Sequence, residues 1–149
     1  MRVIIQRCKN ATCKVDGVIT GKCDNGFMIL VGFNVNDTDN ELNKLAKKVA
    51  GMRIFEDEAG KMNKSLNDVN GTILSISQFT LYADCKHGNR PGFTEAMPGD
   101  KATLMYDKFN DILRQEYNLH VECGIFGADM KIEFLNDGPV TIILDSEDL

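Results

Sequence analysis

Only two stretches of this chain repeat their apolar residues with a helical period, and its other apolar stretches are patterned for strands. In the first, Leu42, Leu45, Ala46, Val49 and Ala50 recur at the i, i+3, i+4, i+7, i+8 spacing of one helix face, behind Asp37 or Thr38, either of which can cap a helix. In the second, Ala102, Met105, Tyr106, Phe109, Ile112 and Leu113 form the buried stripe of a helix over about residues 99–117. Strand character marks residues 1–9, 11–15, 18–22, 26–35, 53–57, 72–83, 129–135 and 140–145. Asp16-Gly17 is a type I′ hairpin signal, and Asn136-Asp137-Gly138-Pro139 is expected to turn the chain between the last two strands. Seven or eight strands cannot alternate one for one with two helices, which argues against a doubly wound parallel sheet. The expectation is an α+β fold: a curved, barrel-like, mainly antiparallel sheet with two amphipathic helices, in one domain over residues 1–149. A domain of that length buries roughly 68–70% of its unfolded surface and needs no disulfide staples.

Several function classes are disfavoured at this point. The five cysteines, Cys8, Cys13, Cys23, Cys85 and Cys123, are odd in number and show no C-x-x-C spacing, which suggests reduced thiols in a cytoplasmic protein. His87 and His120 lie far apart and neither sits in a ligand-spaced cluster, so no metal and no cofactor is expected. No apolar run approaches the ~20 residues of a membrane span, and the first ten residues lack the features of a secretory signal. A net charge of −5 argues against a general DNA or RNA binder, which needs a broad basic face. It does not exclude an enzyme that grips one end of an RNA.

The common catalytic signatures, G-x-S-x-G, the Walker loop, H-E-x-x-H and G-x-G-x-x-G, are absent. Residues 84–98, with Gly88, Pro91, Gly92 and Pro98, form a long polar loop of the kind that is often functional. Two further stretches are more specific: Ser77-Gln78-Phe79-Thr80-Leu81-Tyr82-Ala83 and Asn136-Asp137-Gly138-Pro139-Val140-Thr141. Together they resemble the paired signature of the D-aminoacyl-tRNA deacylase family, S-Q-F-T-L and N-x-G-P-V-T. The resemblance runs the length of the chain, through Met1-Arg2, Gln6-Arg7, Arg53-Ile54-Phe55, Gly60-Lys61-Met62-Asn63, Gly88-Asn89-Arg90-Pro91 and Phe126-Gly127-Ala128-Asp129-Met130. His87 and Gly92 depart from the family pattern, in which Lys and a polar residue are common.

The resemblance implies a homodimeric hydrolase that cleaves the ester joining a D-amino acid to the terminal adenosine of tRNA, with its sites at the subunit interface. Each implied role stands beside a plainer reading. Gly138-Pro139 is on local sequence a turn with a trans bond; the family holds it in cis and inserts it into the partner's pocket, where main-chain carbonyls receive the substrate's ammonium and leave no room for an L side chain. Glycyl-tRNA would then be partly accepted. Residues Ser77, Gln78, Phe79 and Thr80 read locally as strand; as a catalytic segment they would supply N–H donors near Phe79 and Thr80 to the developing oxyanion. No base neighbours Thr80, so its role is positioning rather than nucleophilic attack. Arg7 is either a surface cation or the holder of the Gly-Pro loop across the interface. Phe126 and Met130 are either core residues or the surface for the terminal adenine. Lys86 and Arg90 are solvated loop charges or contacts to acceptor-stem phosphates. Two other readings stay open: a non-catalytic dimeric nucleic-acid-binding module, and an editing hydrolase for an L-aminoacyl-tRNA.

Overall fold

The computed structural model describes residues Met1–Leu149. The chain opens with two long antiparallel strands, β1 (Arg2–Val15) and β2 (Val18–Gly32). Asp16 and Gly17, both at positive φ (49° and 79°), turn between them as a type I′ pair requires. The sequence suggested two short strands on each side of this turn, and each pair is one continuous strand. Asn10, at φ 52°, marks an irregularity in β1, where the pairing with the last strand shifts between Lys9 and Thr12. The kink reverses which residues face inward: Val3 and Ile5 bury on one face, while Cys8 and then Cys13 bury on the other. In β2, a Cβ on Gly26 would stand 1.9 Å from the carbonyl oxygen of Thr72, so only glycine allows the neighbouring strand to start there.

Helix α1 (Asp39–Gly51) follows, and the structure selects Thr38 over Asp37 as its cap. The Thr38 side chain accepts from the Asn40 N–H, and the Glu41 carboxylate accepts from the Thr38 N–H at 2.7 Å, a reciprocal capping box. The hydrogen bonds from the Thr38 side chain and backbone hold the Glu41 carboxyl down at about 2. All five apolar residues of the expected stripe are buried. A small hairpin of β3 (Phe55–Glu56) and β4 (Met62–Lys64) replaces the longer strand expected at 53–57 and part of the irregular stretch expected after residue 62. Then come β5 (Thr72–Ser77), α2 (Gly99–Gln115), β6 (Val121–Cys123) and β7 (Lys131–Asp145).

The main sheet has the order β6-β5-β2-β1-β7. β1 is antiparallel to both neighbours and β5 is parallel to both of its own, because α1 lies in the crossover from β2 to β5 and α2 in the crossover from β5 to β6. The fold is α+β with a curved sheet, but the sheet is mixed and does not close: β6 and β7 are its edges. Val3, Ile5, Phe27, Ile29, Val31 and Ile73 meet the stripes of both helices in the main core. The opposite face holds a smaller cluster, with Cys8, Cys13, Cys23, Met28, Leu74 and Ile76, partly covered by Met130, Ile132 and Phe134.

Two expectations about the later segments are corrected. Residues 72–83 are not all strand: β5 stops at Ser77 and residues Phe79–Tyr82 form a 3-10 turn. The Gln78 N–H still reaches the Val31 carbonyl at 2.7 Å, and the chain then crosses over Gly32, where a Cβ would lie 2.8 Å from the Gln78 carbonyl oxygen. Residues 136–139 are not a hairpin turn: β7 runs through them. Gln6 pairs with Thr141 and Cys8 with Asn136, so Arg7 alone opposes residues 137–140. The surplus residues are extruded from the edge as a bulge.

Candidate active site

At the end of β5, residues 76–79 form one wall of a cavity of about 290 Å³, and residues 126–130 with Ile132 form the other. The structure thus brings together Ser77, Gln78, Phe79, Phe126 and Met130. Glycine sets the second wall. A Cβ on Gly124 would meet the Met130 sulfur at 2.3 Å, so the thioether lies directly on that backbone and folds the loop back over β6. The loop closes through the Ala128 N–H to the Ile125 carbonyl at 3.1 Å, with Gly127 at φ 78°. The Phe126 ring is backed by Tyr106, 6.1 Å away between centroids and tilted. The Tyr106 hydroxyl donates to the Ser75 carbonyl at 2.7 Å, and burial pushes its pKa well above the usual phenol value. Phe126 is therefore positioned by a side chain anchored on the strand that carries the opposite wall.

The first wall ends in the 3-10 turn, whose first internal bond is Leu81 N–H to Gln78 carbonyl at 3.3 Å. The N–H groups of Phe79 and Thr80 precede that bond, as the opening donors of a helical turn do. Arg2 pins the turn: its guanidinium donates to the Leu81 carbonyl at 2.9 Å and to Asp145 at 2.6 Å, and lies 4.5 Å over the Tyr82 ring. Thr80 is exposed, does not line the cavity, and its hydroxyl accepts from the Gln78 side chain at 2.5 Å. The one ionisable residue lining the cavity is Asp129, which pairs with Lys131 at 3.1 Å.

The remaining expected site residues lie elsewhere. Gly138 and Pro139 are exposed on the β7 bulge, joined by a cis peptide, and neither lines the cavity of its own chain. β1 and β2 separate their strand from β5. Arg7 is buried, at 7% exposure, which sets aside the surface-cation reading. It donates to the Ile54 carbonyl at 2.7 Å and to the Asp137 carbonyl at 3.0 Å, with the Asp137 carboxylate at 3.7 Å. Within its own chain, Arg7 thus holds the bulge. Next to it, the side-chain oxygen of Gln6 accepts from the Asn136 side-chain amide at 3.0 Å and from the Thr141 hydroxyl. Gly138 sits at φ 127°, and a Cβ there would stand 2.8 Å from Val140 and 3.0 Å from the Arg7 guanidinium. Gln6, Arg2, Gly124 and Tyr106 carry positioning roles that local sequence did not signal, because each acts on a segment distant in the chain. Lys86 and Arg90 are exposed in the 84–98 loop and away from the cavity. No three His, Cys, Asp or Glu side chains converge into a ligand set, and no helix is long and apolar enough to cross a membrane.

Comparisons with known proteins give the chain its relatives. Residues 4–145 match the family described as D-Tyr-tRNA(Tyr) deacylase. A D-aminoacyl-tRNA deacylase of Exiguobacterium sibiricum is 53% identical over 145 residues, covering 97% of this chain and 99% of the relative. One from Thermus aquaticus is 51% identical over 148 residues, covering 99% and 97%. Among solved structures, one titled c-Myc DNA Unwinding Element Binding Protein superposes with a TM-score of 0.92 at 39% identity, over 97% of this chain and 98% of that one. A probable eukaryotic D-amino acid tRNA deacylase shares the fold, with a TM-score of 0.84 at 20% identity over 96% and 97%.

Proposed function

The chain belongs to the D-Tyr-tRNA(Tyr) deacylase family, whose members hydrolyse D-aminoacyl-tRNA esters, and from that premise we propose how its two separated parts divide the work. The terminal adenosine of the charged tRNA enters the cavity between residues 76–79 and 126–132, with its base against Phe126 and Met130. The ester carbonyl oxygen then faces the opening N–H groups of the 3-10 turn, at Phe79 and Thr80. Water adds to the carbonyl carbon, the negative charge on oxygen is held by those donors, and the C–O bond to the ribose breaks, releasing free D-amino acid and tRNA. Losing one such donor costs about 2.7–4 kcal/mol of transition-state stabilisation. The ribose 2′-hydroxyl assists the water. Thr80 orients Gln78 and forms no acyl intermediate, because no base contacts its hydroxyl.

The Gly138–Pro139 bulge serves the cavity of a second subunit. Its main-chain carbonyls receive the α-ammonium and fill the space that an L side chain would need. D-amino acids of any size are accepted, glycine partly, and L-amino acids are rejected. The observation that carries this reading is the separation itself: the one carboxylate lining the cavity, Asp129, is paired with Lys131, and an exposed, braced bulge stands outside the cavity on an edge strand that also exposes Leu135 and Ile143. A homodimer joins the two, in the cytoplasm where charged tRNA is found. Deacylation of D-tyrosyl-, L-tyrosyl- and glycyl-tRNA tests the reading: D-tyrosine is released fast, glycine slower and L-tyrosine not measurably. Equal rates on the two tyrosyl enantiomers overturn it. The name of the 39% identical relative favours a second reading, a DNA-binding module. Anisotropy titration with duplex DNA separates the two: the hydrolase reading expects no saturable binding at physiological salt.

A further inference from the structure

Helix α1 presents Lys44, Lys47 and Lys48 at i, i+3 and i+4, on a face beside its buried stripe, and Gly51 continues that face at i+7. With Met52 and Arg53 these residues line an open cavity of about 590 Å³. No carboxylate side chain lines it, and Lys47, Lys48 and Arg53 join no ion pair. Within the molecule, part of this charge has a use. Lys48 lies in the last helical turn, where a cation complements the helix dipole, and Lys44 reaches the Ser146 carbonyl and the terminal carboxylate at Leu149. Lys47 has no partner. Arg53 is held by Asn63, through its carbonyl at 2.8 Å and its side-chain oxygen at 2.8 Å. Both acceptors are neutral, so the guanidinium is fixed in place without a direct ion pair, with Asp68 near enough to feel its charge. In a chain of net charge −5 this is a local concentration of the opposite sign.

The groove also lies next to the bulge. Arg53 runs directly into Ile54, whose carbonyl accepts from the Arg7 guanidinium that holds Asp137. Gly51 is exposed and a Cβ there would meet nothing, so the floor between the cations is bare without packing requiring it. A row of cations along a helix suits a polyanion whose charges repeat every few ångströms, more than a single phosphate. We propose that Lys47, Lys48 and Arg53 grip the phosphate backbone of the tRNA acceptor arm. The subunit that lends its bulge to the other's pocket thereby holds the stem of the same tRNA whose 3′ end lies in that pocket. This rests on the functional reading above and adds to it the surface that binds the stem.

The test compares a Lys47→Glu, Lys48→Glu double variant and Arg53→Glu with the unaltered protein on two substrates, D-tyrosyl-tRNA and D-tyrosyl-adenosine, which lacks the stem. On tRNA, kcat/KM is expected to fall about tenfold or more at low salt. The slope of log kcat/KM against log salt is expected to shrink by roughly 1.4–1.8 for the double variant, at about 0.7–0.9 per lost phosphate contact. Hydrolysis of D-tyrosyl-adenosine stays unchanged. Undiminished tRNA hydrolysis, or an equal loss on both substrates, overturns the proposal. Should the unaltered protein hydrolyse neither substrate, the functional reading fails separately. Filter binding of uncharged tRNA over a salt series still decides the groove, since an affinity insensitive to the charge reversals contradicts it.

Discussion

The cavity wall at residues 126–132 is held from behind by apolar and neutral contacts, whereas the Gly138–Pro139 bulge is held from below by a buried charge and left bare on top. Met130 rests on Gly124, Phe126 on Tyr106, and Tyr106 on Ser75. The bulge rests on Gln6 and Arg7, which bond both of its ends and its rising limb. The two forms of support fail differently. Shaving an apolar wall removes contact area in proportion to the atoms lost. Removing a buried guanidinium strands the carbonyls it served, at roughly 1–3 kcal/mol for each group left unpaired. Binding by the wall should therefore degrade by degrees, while presentation of the bulge should be lost abruptly.

The largest effect is expected at Gly138. A Cβ there collides with Val140 and presses on Arg7, and φ 127° is unfavourable for any L side chain. Gly138→Ala should lower kcat/KM on D-tyrosyl-tRNA by about a hundredfold, the scale of an ångström-sized misplacement, while D-tyrosyl-tRNA KM changes little. Arg7→Ala comes next. It should cost about 2–6 kcal/mol in urea unfolding, for two carbonyls left unpaired, and lower the rate through the same bulge. Arg7→Lys should recover part of the stability but little of the rate, since one ammonium cannot reach both carbonyls as a fork does. On the wall, Phe126→Ala should raise KM for tRNA about tenfold, the low end of the ~1–3 kcal/mol that a base gains on an aromatic ring, with kcat nearly kept. Thr80→Ala should cost about 0.5–1.5 kcal/mol, one neutral hydrogen bond. An acyl-enzyme trapped on Thr80 by rapid quench and mass spectrometry would break the assignment.

A variant outside both regions gives the baseline. The Thr38 hydrogen bonds depress the Glu41 carboxyl to about 2 in the folded chain, against an ordinary value of 4.5. Its ionised form therefore stabilises the fold above about pH 4.5, and that contribution disappears as pH falls toward 2. Glu41→Gln should lower the thermal midpoint slightly at pH 6, by an amount that shrinks on acidification, with deacylation unchanged at neutral pH. Thermal melts over pH 6 to 2.5 check the direction.

Both helices were legible in the sequence because a 3.6-residue period over a dozen positions has no competing reading. The Asp16-Gly17 turn was legible because its two residues favour the positive φ angles the turn needs. The bulge was not. Asn136-Asp137-Gly138-Pro139 carries every local sign of a hairpin turn, and only pairing of β7 with β1 on both sides, with Arg7 filling the gap, keeps the strand continuous. The alternation in Ser77–Leu81 likewise reads as strand, and the crossing over Gly32 that ends β5 is a contact between distant segments. The family resemblance singled out Ser77, Gln78, Phe79, Phe126 and Met130, which the fold gathers around one cavity. It gave no sign that Arg2 pins the turn or that Tyr106 backs Phe126, because those roles exist only once the chain is folded.

The central claim is that the bulge of one subunit completes the cavity of another, and mixed dimers test it most directly. One inactive variant carries Gly138→Ala and an intact cavity; the other carries Ala128→Trp, which fills the cavity, and an intact bulge. Each alone should be nearly inactive. After the two are unfolded together and refolded at equal amounts, half of the dimers are mixed, and each mixed dimer has one cavity and one bulge unaltered. If the bulge acts across the interface these meet in a single working site, and deacylation of D-tyrosyl-tRNA returns to about a quarter of the unaltered rate. If the mixture stays as inactive as its components, the bulge serves its own chain or none, and the account is wrong.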